Sequence, residues 1–371
     1  MRRLLFVSRN LACPDFHGGC VYPYRVLEAL SRHGFAVEYL WIPEKVSQRP
    51  FRLPFRPAFC RRVFVAGAFQ IGPTYWQNPL QGRDLKRALN GWIQSPGDVV
   101  VLDYLWDAEL LQGLPASTWI LTHERMYRRS ESYQAAGVVP DFKVLGEAEE
   151  RRLLEAAKGL IAIQEEDASW MRQSFPDKPV VVVPPPFSVS AVEENNNRGD
   201  TVLFIGGRTA HNRGALEWLV GEVWPRVIAR KPDARLRVYG TVDISGLGNA
   251  KGLDFRGAVE DLSRAYGENA IAVVPVRFGS GLKLKLLEAF AHALPVVATS
   301  VGAEGFAEVK AGTICPVSDD PEAYAQNILR LFNEPGFQDA VRQRQFEWLK
   351  VNADPALLGR RFADAIASYR T

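Results

Sequence analysis

The chain has 371 residues, of which 47% are hydrophobic and 23% are charged. Such a composition is typical of a globular protein, and the length favours two domains over a single hydrophobic core. The formal net charge of +3 is too small for a dedicated nucleic-acid-binding protein, so we expect no nucleic-acid partner.

The amino terminus and the cysteines indicate the cellular compartment. The apolar run Leu4–Val7 is broken at Ser8-Arg9-Asn10, which favours a first β-strand over a signal peptide. No uncharged apolar run approaches the roughly 18–20 residues of a membrane-spanning helix. The cysteines form no Cys-x-x-Cys pair, so we expect no zinc site, no disulfide framework and a cytoplasmic location. The cysteines are Cys13, Cys20, Cys60 and Cys315.

Short apolar runs rich in β-branched residues recur along the first half of the chain. We interpret them as buried parallel strands with amphipathic helices between them. The predicted strands are Leu4–Ser8, Ala36–Trp41, Val99–Asp103, Trp119–His123, Leu160–Gln164 and Val180–Pro184. The predicted helices are Val21–His33 and Asp141–Lys158.

A stretch rich in proline and asparagine then interrupts the alternation. It predicts a linker at 187–198 between an N-terminal domain, 1–186, and a C-terminal domain, 199–354. The strands predicted after it are Thr201–Gly206, Arg235–Gly240, Ala270–Val276, Pro295–Thr299 and Gly312–Pro316. The helices predicted after it are Ala215–Ala229, Gly281–Ala293, Pro321–Phe332, Gln338–Val351 and Pro355–Tyr369.

Two successive series of alternating strands and helices predict an α/β protein with two doubly wound, Rossmann-like domains. In such sheets ligands bind beyond the carboxyl ends of the strands, so we expect the active site in a cleft between the domains.

The segment Phe278–Thr299 carries the strongest chemical signal. A glycine turn that opens a helix presents backbone N–H groups and the positive end of the helix dipole to an anion. Lys283 and Lys285 add positive charge, and Glu288 lies one to two turns further along. A carboxylate so close to an anion site suits a ligand that also carries hydroxyls, such as a nucleotide or nucleotide sugar. The alternative is a packed helix with solvated charges.

Two other glycine-containing segments follow predicted strands. Gly207-Arg208 is followed by Arg213-Gly214, and arginines at a strand end can clamp a phosphate. The alternative is a tight turn with solvated arginines. Gly18-Gly19 follows the first strand and would let backbone amides approach a ligand, or would form a flexible loop.

Two titratable residues end strands of the N-terminal domain. His123 closes one predicted strand and Asp103 another, so both side chains are expected at the sheet edge where ligands bind. For each, the alternative is a purely structural residue.

These motifs together resemble the family-4 retaining glycosyltransferases of GT-B fold, of the bacterial polysaccharide and glycolipid type. Gly207-Arg208 with Arg213-Gly214 is similar to the family's Gly-Arg…Lys/Asn-Gly turn. The stretch from Ser280 to Thr299 is similar to its Glu-x7-Glu element and the Ala-x-Ala-x-Gly-x-Pro-Val-Val-Ala run that follows. The resemblance covers nearly the whole chain and is weakest at 43–97.

The chain departs from the family pattern at three positions. Ser280 replaces the first glutamate, which in the family contacts the donor hexose. Arg213 replaces the lysine of the first turn, and Leu294 replaces the glycine before Pro295. A Gly-Ser-Gly-x-Lys-x-Lys pattern recurs in a branch of the family, so we do not interpret Ser280 as loss of activity.

The resemblance implies two Rossmann-like domains facing each other across a cleft, with a C-terminal helix, 355–371, crossing back onto the first. It implies retention of anomeric configuration and a nucleotide-sugar co-substrate, expected to be a UDP- or GDP-sugar, with no other cofactor. No Asp-x-Asp triplet occurs, so no metal is required. The implied catalytic residues are Arg208, Lys283 and His123. The implied donor-binding residues are Glu288, as ribose ligand, with Gly281, Ser280, Gly207, Arg213, Lys285, Gly18 and Gly19.

The acceptor side is suggested by segment 49–64, which interleaves arginines with phenylalanines. Such a segment is suited to an anionic membrane surface, and would fit a lipid-linked or glycan acceptor at the cytoplasmic face of the inner membrane. The alternative is a solvated, proline-rich loop.

Two other functions remain open. One is a GT-B nucleotide-sugar epimerase, for which the sequence offers only Asp103 and Glu124 as catalytic carboxylates. The other is a non-catalytic, two-lobed protein that binds a sugar or a nucleotide.

Overall fold

The computed structural model describes residues 2–10, 12, 18–43, 57–66, 68–71, 74–77, 82–187, 199–247, 250–259 and 262–368. The chain divides into two compact units. The first comprises Met1–Glu124, Gly146–Pro186 and Pro355–Thr371, and the second comprises Arg125–Leu145 and Phe187–Asp354.

The described chain contains both strands and helices. The strands are β1 (Arg2–Ser8), β2 (Phe35–Trp41), β3 (Arg62–Val65), β4 (Ala68–Ile71), β5 (Thr74–Gln77), β6 (Val99–Asp103), β7 (Ser117–Leu121), β8 (Gly159–Ala162), β9 (Val180–Val182), β10 (Thr201–Gly206), β11 (Arg235–Gly240), β12 (Leu253–Gly257), β13 (Ile271–Val274) and β14 (Val296–Ala298). The helices are α1 (Gly18–Ser31), α2 (Gly82–Trp92), α3 (Met126–Ala135), α4 (Glu147–Leu154), α5 (Glu165–Ser174), α6 (Ala210–Trp218), α7 (Trp224–Arg230), α8 (Leu262–Gly267), α9 (Leu284–Ala291), α10 (Ala307–Lys310), α11 (Pro321–Asn333), α12 (Pro335–Asn352) and α13 (Pro355–Ser368).

The first unit is built on a parallel sheet in the order β3-β2-β1-β6-β7-β8-β9. Its central strands β6 and β7 are buried along their whole length, as expected for a parallel sheet covered on both faces. The order reverses between β1 and β6, and a ligand site is expected beyond the carboxyl ends of these two strands.

The second unit repeats the plan with a parallel sheet in the order β12-β11-β10-β13-β14. Here the order reverses between β10 and β13. The glycine turns that follow these two strands, at 207–209 and 275–283, therefore lie side by side at the switch point of the sheet.

The predicted α/β class with parallel sheets is confirmed. Three strands, β6, β10 and β11, have the predicted bounds, because each is a short apolar run bounded by polar or glycine residues. The predicted strand Gly312–Pro316 is wrong: this part of the chain makes only one isolated bridge, between Ala298 and Val317. The predicted helix Asp141–Lys158 is too long, since α4 begins at Glu147.

Two segments group with a unit that is not their neighbour in sequence. Helix α13 follows the second unit but packs on α1 of the first, burying Leu358, Phe362 and Ile366. Residues 125–145, which contain α3, precede the predicted boundary but group with the second unit. Of the predicted linker, 188–198 lies outside the described residues, as does 49–56 of the arginine-phenylalanine segment.

No helix among the described residues combines the length and the apolar character needed to cross a bilayer.

Helix α6 begins at Ala210, five residues before the predicted helix start at Ala215, so Arg213 and Gly214 are helical rather than part of a turn. The reason for a glycine at 214 is packing: an added Cβ would lie 2.7 Å from a ring carbon of Phe278. The glycine thus lets the turn after β13 pack against α6.

We expect Gly214→Ala to lower the free energy of unfolding by about 1–3 kcal/mol, because the new methyl group would displace the Phe278 ring. Gly221→Ala is the matched control, since a Cβ there meets no atom within 4 Å. It should be neutral or stabilise by up to about 1 kcal/mol. Urea denaturation monitored by tryptophan fluorescence measures both. Equal effects of the two substitutions would contradict the packing role of Gly214.

Candidate functional site

The turn after β13 contains two glycines in the left-handed region, Gly279 at φ 115° and Gly281 at φ 76°. Side chains with a Cβ rarely adopt this conformation, so the turn requires glycine at both positions. The turn ends at Lys283, the N-cap of α9, and α9 begins at Leu284 rather than at the predicted Gly281. As at any helix N-terminus, its first turn carries the positive end of the helix dipole.

Lys283 braces this turn from inside. Its side chain is buried, and the Nζ amine donates to the carbonyl oxygens of Ser280, at 3.2 Å, and of Gly281. The amine also pairs with Glu304 Oε2 at 3.4 Å. Its charge is therefore held in place before any ligand arrives.

Lys285 joins the two glycine turns. Its amine donates to the carbonyl oxygen of Ile205 on β10 at 2.8 Å and to Asn212 Oδ1 at 2.6 Å. The Asn212 amide in turn donates to the carbonyl oxygen of Gly207 at 3.1 Å. Desolvation, with the nearby charge of Lys283, lowers the pKa of Lys285 to about 7, against a smaller opposing effect of Glu288.

If a diphosphate binds near Lys285, its binding should take up a proton above pH 7, because an anion raises the pKa of the amine from about 7. The affinity should then fall as the pH rises above 7. Calorimetric titration of UDP and GDP at about pH 8, in two buffers of different ionisation enthalpy, measures the uptake, which can reach about one proton per molecule. Lys285→Met should abolish it, and an unchanged uptake in that variant would contradict the assignment.

Glu288 is held by a tyrosine that the sequence analysis did not single out. The hydroxyl of Tyr266, on α8, donates to Glu288 Oε2 at 3.0 Å, and the Tyr266 ring stacks on His292 with centroids 4.6 Å apart. Since Tyr266 is buried and Glu288 only half-buried, the carboxylate is oriented by the core while staying accessible. Tyr266 and Glu288 are 22 residues apart, so no local sequence pattern predicts this contact.

The two arginines after β10 differ in their surroundings. Arg208 is exposed, and its backbone N–H donates to Thr241 Oγ1 at 3.2 Å. Within the described residues no hydrogen bond or ion pair holds its guanidinium group. Arg213 is committed instead: its Nε donates to Glu217 Oε1 at 2.7 Å and its Nη1 to the carbonyl oxygen of Asp243 at 2.8 Å.

His211 is a second residue that the sequence analysis missed. Its Nδ1 lies 2.9 Å from the hydroxyl of Tyr133 and its Nε2 lies 3.2 Å from Thr209 Oγ1. Burial, together with the charges of Lys285, Lys283 and Arg129, lowers the pKa of His211 to about 2. The imidazole is therefore neutral near pH 7, and serves as a hydrogen-bonding link rather than a cation.

The first unit has its own polar cluster at the carboxyl ends of β1, β6 and β7. Asp103 is buried; its Oδ2 accepts from Ser8 Oγ at 2.6 Å and its Oδ1 lies 2.7 Å from His123 Nε2. The His123 ring stacks on Tyr104 at 4.0 Å, and Tyr104 has a φ of 61°, which non-glycine residues rarely adopt. Asp103 thus sets the orientation of the histidine and favours the proton on Nε2.

The structure places the other predicted site residues as follows. Gly18 and Gly19 form the start of α1 rather than a loop before it. Ser280 lies in the turn after β13, where its hydroxyl donates to the carbonyl oxygen of Arg125 at 3.4 Å. Thus the structure gathers Gly207, Arg208, Arg213, Ser280, Gly281, Lys283, Lys285 and Glu288 in the second unit. Gly18, Gly19 and His123 lie in the first unit. Among the described residues, no group of three or more histidine, cysteine, aspartate or glutamate side chains is arranged to hold a metal ion.

Comparison with known proteins finds a family match within the second unit. Residues 199–334 match the family model described as glycosyl transferases group 1. An uncharacterized 44.6 kDa protein in cps region of Klebsiella pneumoniae is 28% identical over 166 residues. That alignment spans 41% of this chain and 42% of that protein, less than half of the relative's length.

Solved structures of low sequence identity share the fold of the whole chain. S. aureus TarM, in complex with fondaparinux, alpha-GlcNAc-glycerol and UDP, has a TM-score of 0.75 at 9% identity, covering 99% of this chain and 100% of that one. Sucrose-phosphate synthase from Thermosynechococcus elongatus has a TM-score of 0.69 at 16% identity, covering 99% of both chains. These matches establish a GT-B fold. Residues 199–334 match the glycosyl transferases group 1 model within a chain of that fold.

Proposed function

We propose that this chain is a glycosyltransferase that moves a hexosyl unit from a UDP- or GDP-sugar to a hydroxyl of a glycan or lipid-linked acceptor. We further propose that it acts with retention, without a metal ion, and as a member of family 4. The proposal is carried by one observation: the two glycine turns and the oriented Glu288 carboxylate lie together at the switch point of the sheet, within the residues that match the group 1 model.

The turns and their cations suit the diphosphate of the donor. In this proposal the first N–H groups of α9 and the guanidinium of Arg208 bind that diphosphate. Lys283 holds a fixed positive charge within the turn. As the glycosidic bond breaks, negative charge grows on the leaving diphosphate. Charges and dipoles that are already in place stabilise it without reorganisation.

The remaining donor contacts follow from hydrogen-bonding capacity. Glu288 is proposed to accept hydrogen bonds from the ribose diol, since its carboxylate can accept several and Tyr266 occupies one oxygen. His123 is proposed to contact the sugar through Nδ1, because Asp103 occupies Nε2. Attack of the acceptor hydroxyl from the side of the leaving group would give retention. Solved structures of this fold bound to UDP or to UDP-2-fluoro glucose support a UDP-sugar donor.

The product and the membrane contact are further parts of the proposal. The family resemblance favours synthesis of a surface polysaccharide or glycolipid at the cytoplasmic membrane, with segment 49–64 as the peripheral contact. In the described part of that segment, the side chains of Arg61, Arg62 and Phe64 are exposed. Exposed arginines beside an aromatic ring suit contact with an anionic lipid surface.

The epimerase alternative is weakened by the structure. Both carboxylate oxygens of Asp103 are engaged, one by Ser8 and one by His123, so this carboxylate is better placed to orient the histidine than to exchange a proton with a sugar.

A panel of UDP-, GDP- and ADP-sugars tests the proposal. We expect saturation-transfer NMR to detect one of them, and the protein to release its nucleoside diphosphate when an acceptor hydroxyl is supplied, with or without EDTA. The proton coupling of the product's anomeric centre should match that of the donor. Absence of binding to every donor, or conversion to an epimer without an acceptor, would overturn the proposal.

A further inference from the structure

Helix α3 lies in Arg125–Leu145, a segment that groups with the second unit. It lies between β7 and β8 of the first unit's sheet in the sequence, yet it packs against the turns after β10 and β13. Two consecutive residues, Ser132 and Tyr133, contribute side-chain contacts to these turns.

Ser132 holds the turn after β13. Its Oγ accepts from the backbone N–H of Gly279 at 2.9 Å, one of the two glycines in the left-handed region. The same turn is tied to the start of the α3 segment by Ser280 Oγ, which donates to the Arg125 carbonyl oxygen at 3.4 Å. This part of the turn is therefore anchored to α3 as well as to Lys283, the N-cap of α9.

Tyr133 holds the turn after β10. Its hydroxyl bonds His211 Nδ1, and His211 Nε2 reaches Thr209 Oγ1. The Tyr133 ring also packs edge-on against Phe278 with centroids 5.0 Å apart. Both nitrogens of His211 are occupied, so the imidazole has no free nitrogen for a ligand. Through these two hydrogen bonds it fixes the position of the turn at Thr209 relative to Tyr133.

We propose that Ser132 and Tyr133 are positioning residues that set the spacing of the two anion-binding turns for a nucleoside diphosphate. The inference rests on the proposed function, since it concerns the same donor site. An anion that must contact both turns binds more tightly when they are already held at the right separation. The free energy of binding is then not reduced by the entropy lost in ordering them. Groups that contact only the base or ribose would not depend on this spacing.

The test compares Ser132→Ala and Tyr133→Phe with the wild-type chain. Calorimetry gives the affinities for UDP and GDP, and saturation-transfer titration gives those for uridine and guanosine, which lack phosphates. We expect each variant to bind the diphosphate about fivefold to tenfold more weakly, the effect of one lost hydrogen bond. The affinity for the nucleoside should change by less than about twofold, within the error of such comparisons.

Ser130→Ala is the matched control. Ser130 lies on the same helix, and its Oγ donates to the Met126 carbonyl oxygen at 3.0 Å and accepts from the Leu145 N–H at 3.4 Å. It touches neither turn, so its loss should lower the melting temperature while leaving the preference for diphosphate over nucleoside intact. Tyr133→Phe preserves ring packing, which keeps the test informative if Ser132→Ala unfolds.

Each outcome decides the inference. Diphosphate binding that is unchanged in both variants would overturn it while leaving the proposed function standing. So would equal weakening of nucleoside and diphosphate, or the same loss of diphosphate affinity in Ser130→Ala, since both indicate a general effect on folding. If the wild-type chain binds neither UDP nor GDP, the proposed function and this inference both fail.

Discussion

Arg208→Ala should lower kcat by about 100- to 1,000-fold, the usual effect of removing one preorganised group that stabilises transition-state charge. The expectation rests on the exposure of Arg208 beyond β10, at the switch point of the sheet. Within the described residues no ion pair or hydrogen bond holds its guanidinium, and Asp243 interacts with it only at longer range. In the proposed reaction its charge is therefore available to the leaving diphosphate. Initial rates of nucleotide release at several donor concentrations separate kcat from KM.

Arg213→Ala is the control for this experiment, because Arg213 stands five residues further on and is already paired with Glu217 and Asp243. We expect its kcat to change by less than about tenfold, as for a partly exposed ion pair. Arg208→Lys should recover part of the activity, since it keeps the charge and loses the fork of donors. Equal losses in Arg208→Ala and Arg213→Ala would contradict the distinction between the two arginines.

Glu288→Gln should weaken binding of the donor nucleotide by about 10- to 100-fold. A charged carboxylate that accepts a hydrogen bond contributes about 1.5–3 kcal/mol, and the neutral amide keeps the shape without the charge. Calorimetric titration with UDP and GDP measures the loss. A melting curve checks that the fold is retained, which is expected because Glu288 is only half-buried.

Pairing this variant with a modified ligand identifies the group that Glu288 contacts. A 2′-deoxyribonucleoside diphosphate should bind the wild-type chain more weakly than the ribonucleotide, and should bind Glu288→Gln about as well as the ribonucleotide does. Tyr266→Phe removes the hydroxyl that orients Glu288 and should give a smaller loss, about fivefold. If the 2′-hydroxyl contributes equally in wild-type and variant chains, Glu288 does not contact the ribose.

Local patterns in the sequence were sufficient to predict most of the strands and the turns that follow them. The run before Gly206 and the run before Asp103 are short, apolar and β-branched, and a strand buried on both faces needs no other signal. Because the carboxyl ends of neighbouring parallel strands meet at one edge, the turns at 207–209 and 275–283 could be expected to come together.

Helix bounds near the site were less predictable. The helix over Arg213 begins at Ala210, although His211 and Asn212 are poor helix formers by propensity. Their side-chain hydrogen bonds, to Tyr133 and Thr209 from His211 and to the Gly207 carbonyl oxygen from Asn212, hold this first turn. From the sequence, Gly214 is typical of a turn, whereas in the structure it lies within α6. Only the position of Phe278 explains why this helical residue is a glycine.

The sequence by itself determined the α/β class, the restart of the strand–helix alternation after residue 199 and the cluster of lysines, glycines and one glutamate near 280–288. All of these are encoded in neighbouring residues. Only the tertiary structure decided that Arg208 is unpaired among the described residues while Arg213 is not, that Tyr266 orients Glu288, and that α3 groups with the second unit. The physical reason is that each of these depends on side chains far apart in the sequence. Tyr133 and His211, for example, are 78 residues apart, and such a contact produces no periodic pattern in the sequence.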